Sequence, residues 1–212
     1  MLLTPDEFAR AWGADALVRP PAASVPGSIP SDGRAFLVNA GLPALIRCFG
    51  GSTESKITFC RLASGLSPLL AERTVGPPLP REWARYWVLG DEFFCNGGTW
   101  WCLQEGTGRV DRIDIELAEP VEFANTSAAH FASAVLAALV WSRRVSRSAE
   151  GWPSEVNRFE RELALIDPAG MESRRNFWPV YLDSVREEGP RLGAFEKGSR
   201  SEGEQALQAG PW

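Results

Sequence analysis

The chain carries one histidine, His130, and four cysteines, Cys48, Cys60, Cys95 and Cys102, the residue types from which most side-chain chemistry would be built. The cysteines are irregularly spaced with no CxxC pair, so neither a zinc knuckle nor a redox dithiol is written in them. They read as buried small hydrophobes of a reducing compartment. His130 stands in no nucleophile–base motif and falls on the flank of an apolar helical stripe, so only a distant thiol could pair with it. Gly106–Arg109, GTGR, lacks the Lys-Ser/Thr of a phosphate loop and lies between two strands, where it reads as a hairpin turn. Asp91 and Glu92 are neighbours on a strand and point to opposite faces, so they form no paired-carboxylate centre. No catalytic residue, cofactor or metal is expected.

A different use of charge is open to the acids around the next hairpin. Asp114 and Glu116 share the polar face of a strand in which Arg112, Asp114 and Glu116 alternate with Ile113, Ile115 and Leu117, and Glu105 and Asp111 lie beside them. This is either an ordinary solvated sheet face or a docking surface for a basic protein, whose approach complementary charge accelerates. Trp100 and Trp101 are consecutive, so one meets a helix and the other a loop or solvent; an exposed Trp beside acids would be a binding hot spot. The candidate partner-binding set is therefore Glu105, Asp111, Asp114, Glu116 and Trp101.

Composition agrees with a binding protein. In 212 residues, 44% are hydrophobic, which is enough for one sizeable core, and the formal net charge of -5 repels nucleic acid and anionic membranes but attracts basic partners. Asp6 and Glu7 occupy the place of a secretory apolar core, and the longest apolar run, Phe131 to Trp141, is far below the roughly 18 residues of a spanning helix, so a cytoplasmic protein is expected.

The elements that must position these residues change period along the chain. Thr4 and Glu7 form a capping box for a short helix with Phe8 and Trp12 on one face. A proline-rich connection follows from Arg19 to Gly33, and Ala35–Val38 suggests a brief strand or entry segment before the turn at Gly41 and Pro43. Strands are expected at Ile57–Leu62, at Tyr86–Leu89 (apolar on both faces and so central), at Thr99–Leu103 and, after the Gly106–Gly108 connection, through Arg112–Leu117, with Ser64–Glu82 as loop and Gly97–Gly98 as a turn. After Pro120 the period becomes helical. A cap at Asn125, Thr126 or Ser127 opens the longest helix, with Phe131, Val135, Leu139 and Ser142 in register, and two amphipathic helices follow, in Trp152–Asp167 with Val156, Phe159, Leu163 and Ile166 as one stripe and from about Asn176 to Glu187. Strands followed by helices give an α+β fold, an antiparallel sheet with helices packed on one side, over residues 1–188; the glycine-rich, charged stretch 189–212 reads as a flexible polar tail.

The order of several short motifs adds to this. GLPALIRCF at Gly41–Phe49, YWVLGDE at Tyr86–Glu92, the glycine turn before Val110, VEFANTSAAHFASAVLAAL at Val121–Leu139, and LIDPAGMESRRNFWPVYLDSV at Leu165–Val185 with Asp167, Pro168, Phe177 and Trp178 together resemble the SUKH superfamily, nearest its fourth subfamily of bacterial immunity proteins. The resemblance spans about residues 34–188; one departure is Gln104, where members more often carry an acid. It implies a single α+β domain that acts without chemistry, masking a cognate toxin, often a nuclease or deaminase, in the cytoplasm. The alternative within the superfamily is a regulatory or scaffold module whose partner is a host protein.

Overall fold

The computed structural model describes residues 2–43, 45–48, 51–54, 83, 85–93, 99–114, 121–145, 152–188 and 196–197. The expected strand at 57–62, the loop 64–82 and the turn at 97–98 lie outside them.

The first helix, α1 (Pro5–Trp12), starts as its sequence dictates. Thr4 Oγ1 accepts from the Glu7 amide at 3.3 Å while Glu7 Oε2 accepts from the Thr4 amide at 2.9 Å, and Pro5 takes the first helical position. Phe8 and Trp12 are buried and stack on each other with centroids 6.0 Å apart. A two-residue strand β1 (Leu17–Val18) pairs with β2 (Leu42–Pro43). Gly41 makes this pairing possible: its φ is +79°, and a Cβ there would lie 2.2 Å from the Val18 carbonyl oxygen. The G-L-P motif is thus a close backbone crossing.

Between these strands lies α2 (Ser31–Asn39), where the sequence suggested a brief strand at Ala35–Val38. The reason for the helix is tertiary. Pro30 precedes the first turn, Gly33, Phe36 and Leu37 fall on one helical face, and all three are buried, Gly33 lying 3.6 Å from Ile29 at the position its Cβ would take. Four apolar residues in a row do not reveal which period they follow.

Among the described residues the main sheet has seven antiparallel strands in the order β8-β7-β6-β5-β4-β3-β9. They are β3 (Leu45–Cys48), β4 (Gly51–Glu54), β5 (Tyr86–Phe93), β6 (Thr99–Gln104), β7 (Val110–Asp114), β8 (Val121–Asn125) and β9 (Glu196–Lys197). From β3 to β8 the sheet is a meander. The remaining strand, β9, lies within the stretch read as a polar tail and pairs with β3 through Ile46–Lys197 and Arg47–Glu196. β5 is central, as its doubly apolar sequence leads one to expect, and its neighbour β6 is buried at every position, so that both Trp100 and Trp101 are enclosed. A bulge at Val88–Gly90 places Gly90 opposite Trp101.

Three long helices follow: α3 (Ala128–Val145), α4 (Trp152–Ile166) and, after the one-turn α5 (Pro168–Met171), α6 (Phe177–Glu188). Leu89, Trp101, Leu103, Val110 and Ala124 on one sheet face join the helices in the larger core. Inside it Trp141 stacks on Phe159 at 4.9 Å and 12°, while Trp178 and Tyr181 meet Phe159 edge-on. Tyr86, Val88, Trp100, Cys102 and Ile113 on the opposite face form a second cluster with Trp83. The fold is α+β, with the helix layer on one side of an antiparallel sheet.

Candidate functional site

The β6–β7 hairpin was expected to present the partner-binding set, and the structure divides that set. Trp101 is 7% exposed and packs between Phe131 of α3 and Phe177 of α6, with centroids 4.9 and 4.7 Å away. It is the tryptophan that meets the helices, and Trp100 turns to the second cluster. Asp111 is also withdrawn, with no exposed surface, because it lies two residues before Ile113 and shares that residue's buried face. Strand alternation carried this signal, since residues two apart point the same way. Asp114 stays partly exposed but accepts from Thr99 Oγ1 at 2.9 Å and pairs with Arg112 at 3.5 Å; Arg112 in turn reaches Glu122 at 2.7 Å. Glu105 is half-buried in the turn, its amide donating to the Arg85 carbonyl at 2.7 Å. Glu116 lies outside the described residues.

What the hairpin builds is an internal polar cluster. Arg109 donates to Asp111 through Nε at 3.0 and 2.9 Å and through Nη2 at 2.6 Å, and its guanidinium sits 5.0 Å over the Phe123 ring. Tyr86 Oη accepts from Gln104 Nε2 at 3.2 Å, and Gln104 Oε1 accepts from Thr107. Gln104 is therefore an internal strut of the turn. Burial pushes the Asp111 carboxyl up from its usual range, and the Arg109 and Tyr86 contacts pull it only part of the way back. Burial likewise raises the Tyr86 phenol, with the Asp111 charge adding to it. On Arg109 burial acts downward and the Asp111 contact outweighs it. The turn itself needs left-handed backbone at Gly106 and Gly108 and packs on the proline-rich connection, with the Gly106 amide donating to the Ser28 carbonyl at 3.1 Å.

Three motifs distant in sequence meet at the end of β8. Asn125 Nδ2 donates to Asp167 Oδ2 at 3.0 Å, the Thr126 amide donates to the same oxygen at 2.7 Å, and Trp178 Nε1 donates to Asn125 Oδ1 at 2.9 Å. Gly170 packs so close that a Cβ would stand 2.7 Å from the Ala124 carbonyl oxygen. Asn125, Asp167 and Trp178 are buried, so these three side chains of the Asn-Thr-Ser, Ile-Asp-Pro and Phe-Trp motifs hold the strand to the helices. His130, one turn into α3, is bonded through Nδ1 to Thr126 Oγ1 at 3.0 Å and Ser127 Oγ at 2.8 Å. Among the described residues no group of three or more His, Cys, Asp or Glu side chains is placed to hold a metal ion.

The feature that sequence reasoning missed is a groove of about 330 Å³ on the outer side of the helix layer. Its lining is Ser133, Leu136, Ala137, Val140 and Arg144 from α3, Glu162, Leu165 and Ile166 from α4, and Leu3 ahead of α1. Leu165 is 75% exposed and Val140 42%. Both stand at the edge of an amphipathic stripe, where a sequence pattern cannot separate a core flank from an open surface. Arg144 closes one end through Glu155 at 3.0 Å and Glu162 at 3.2 Å.

An antiparallel sheet under a helix layer, with the Asp111 and Asn125–Asp167 clusters turned inward and an apolar groove between two helices, defines an α+β domain. The chain matches the SUKH-4 immunity protein family over residues 3–184 and belongs to that family. Comparison with curated proteins and with solved structures finds no match. Among the described residues no helix is long and apolar enough to cross a membrane.

Proposed function

We propose that this chain neutralises a cognate toxin of the nuclease or deaminase class by binding it in the cytoplasm, with no catalysis of its own. Membership of an immunity-protein family across residues 3–184 carries the reading, and that family acts in general by binding a toxin. A toxin that handles nucleic acid is basic where it binds substrate, and the net charge of -5 favours its approach. Glu105, Asp114 and Glu116 are the members of the hairpin set assigned to this attraction. Asp111 and Trp101 act indirectly, by fixing the hairpin. Because Asp114 is already paired and half-screened, its contribution is to association rate more than to the lifetime of the complex.

The test is co-expression with the effector encoded beside this gene, read by growth and by isolation of the complex. Restored growth with a stable, salt-sensitive complex is the expected result. A purified effector that neither binds this protein nor is relieved by it would sink the reading.

A further inference from the structure

Four large hydrophobic side chains are exposed among the described residues, Leu2, Val140, Leu165 and Val180. Val140 and Leu165 line the α3–α4 groove, and Leu2 directly precedes its lining residue Leu3. Such clustering differs from the single scattered apolar residues of an ordinary surface. On the same wall Ser133 is 3% exposed, and its hydroxyl has no hydrogen-bond partner. A buried hydroxyl left unpaired is costly, and an occupant able to bond it would remove that cost.

The charges at one end of the groove indicate the occupant. The helices run antiparallel, since Arg144 near the end of α3 pairs with Glu155 near the start of α4 while Ser133 and Ile166 share the far part of the lining. Toward the Arg144 end the described charged side chains of the two helices include Arg143, Arg144, Arg158, Arg161, Glu155 and Glu162. Glu155 and Glu162 are taken by Arg144 and Arg158. Arg143, one turn beyond Val140, and Arg161, one turn before Leu165, are exposed and have no ion-pair partner among the described residues. A net-acidic protein thus sets two spare positive charges beside its open apolar groove.

We infer that the α3–α4 groove docks a partner segment in which an aromatic anchor with a polar tip, bonded by Ser133, is flanked by carboxylates that meet Arg143 and Arg161. The inference rests on the toxin-binding reading and deepens it: an acidic segment is not a nucleic-acid-binding surface, so the toxin is held away from its basic substrate groove. Net charge then governs encounter, and the groove governs the lifetime of the complex.

The first arm of the test needs no toxin. A short synthetic peptide with a tyrosine between aspartates, and its lysine-flanked counterpart, are titrated into the isotope-labelled full chain. Saturable shifts at Ser133, Val140, Arg143 and Leu165 with the acidic peptide, at least about tenfold weaker with the basic one, are expected. No binding at the groove, or equal binding of the two, overturns the inference. In the second arm the neighbouring effector is measured against Leu165→Glu and Arg143→Glu/Arg161→Glu, all at exposed positions, with retained folding checked by circular dichroism. Each should weaken the complex by roughly 10- to 100-fold, mainly through dissociation. Wild-type affinity in both variants overturns the groove while leaving the toxin reading intact. Saturation by the acidic peptide with no effector binding by the wild type supports the groove and sinks the toxin reading.

Discussion

Asn125→Ala tests the latch at the end of β8. The Asn125 side chain is 1% exposed and serves two partners, accepting from Trp178 Nε1 at 2.9 Å and donating to Asp167 Oδ2 at 3.0 Å. The network fixes its orientation, because the indole only donates and the carboxylate only accepts. Alanine leaves the Trp178 N–H, in a side chain that is itself 1% exposed, without its partner, at about 1–3 kcal/mol. It also removes a bond to a charged group, about 1.5–3 kcal/mol, although Asp167 keeps the Thr126 amide. Because the two effects overlap, the expected loss is about 3–5 kcal/mol, a large part of the roughly 5–15 kcal/mol that holds a domain folded. Urea unfolding should show the midpoint falling by on the order of 2 M with an unchanged slope. A loss below about 1 kcal/mol would refute the reasoning, since the buried indole must then have found another acceptor.

Three further outcomes follow from local geometry. Gly41→Ala drives a Cβ to 2.2 Å from the Val18 carbonyl oxygen at a φ of +79°, and should cost about 3 kcal/mol or more in thermal unfolding, whereas Gly106→Ala, at φ +80° but in open space, should cost about 1 kcal/mol. Trp101→Ala should destabilise by about 3–5 kcal/mol, while Trp101→Phe, which keeps an aromatic ring against Phe131 and Phe177, should retain effector binding; loss of binding by a well-folded Trp101→Phe would return this residue to the contact surface. The Asp111 carboxyl is raised, so its stabilising contribution is complete below the unfolded pKa of about 3.9 and is lost as pH rises through the folded value. Asp111→Asn should therefore gain on the wild type between acidic and neutral pH in urea unfolding, and a variant that instead loses ground as pH rises would mean that Arg109 outweighs burial.

Much of the architecture was legible because local rules and tertiary demands agreed. Thr4 and Glu7 predicted their cap, Gly106 and Gly108 their turn, and the stripes through Phe131, Phe159 and Trp178 their helices, since in each case neighbours in sequence are the interacting groups. β8 went unread because five residues ahead of a helix cap show too little alternation, and α2 because its four apolar residues fit either period. Of the hairpin set, Asp111 was misplaced against its own strand parity, and Trp101 could not be told from Trp100 without knowing which face the helices cover.

By itself the sequence determined a single α+β domain, its family, and a net charge that favours a basic partner, because composition, period and motif order survive without coordinates. Which polar residues remain available to a partner was decided only by the tertiary structure. Asn125, Asp167 and Trp178 are drawn into a buried latch across 42 and 53 residues of chain, and Asp111 is sealed beneath its hairpin. Leu165 and Val140, indistinguishable in sequence from core-flanking residues, are left open along the α3–α4 groove. Exposure depends on which faces of separate elements meet, and no local pattern encodes that.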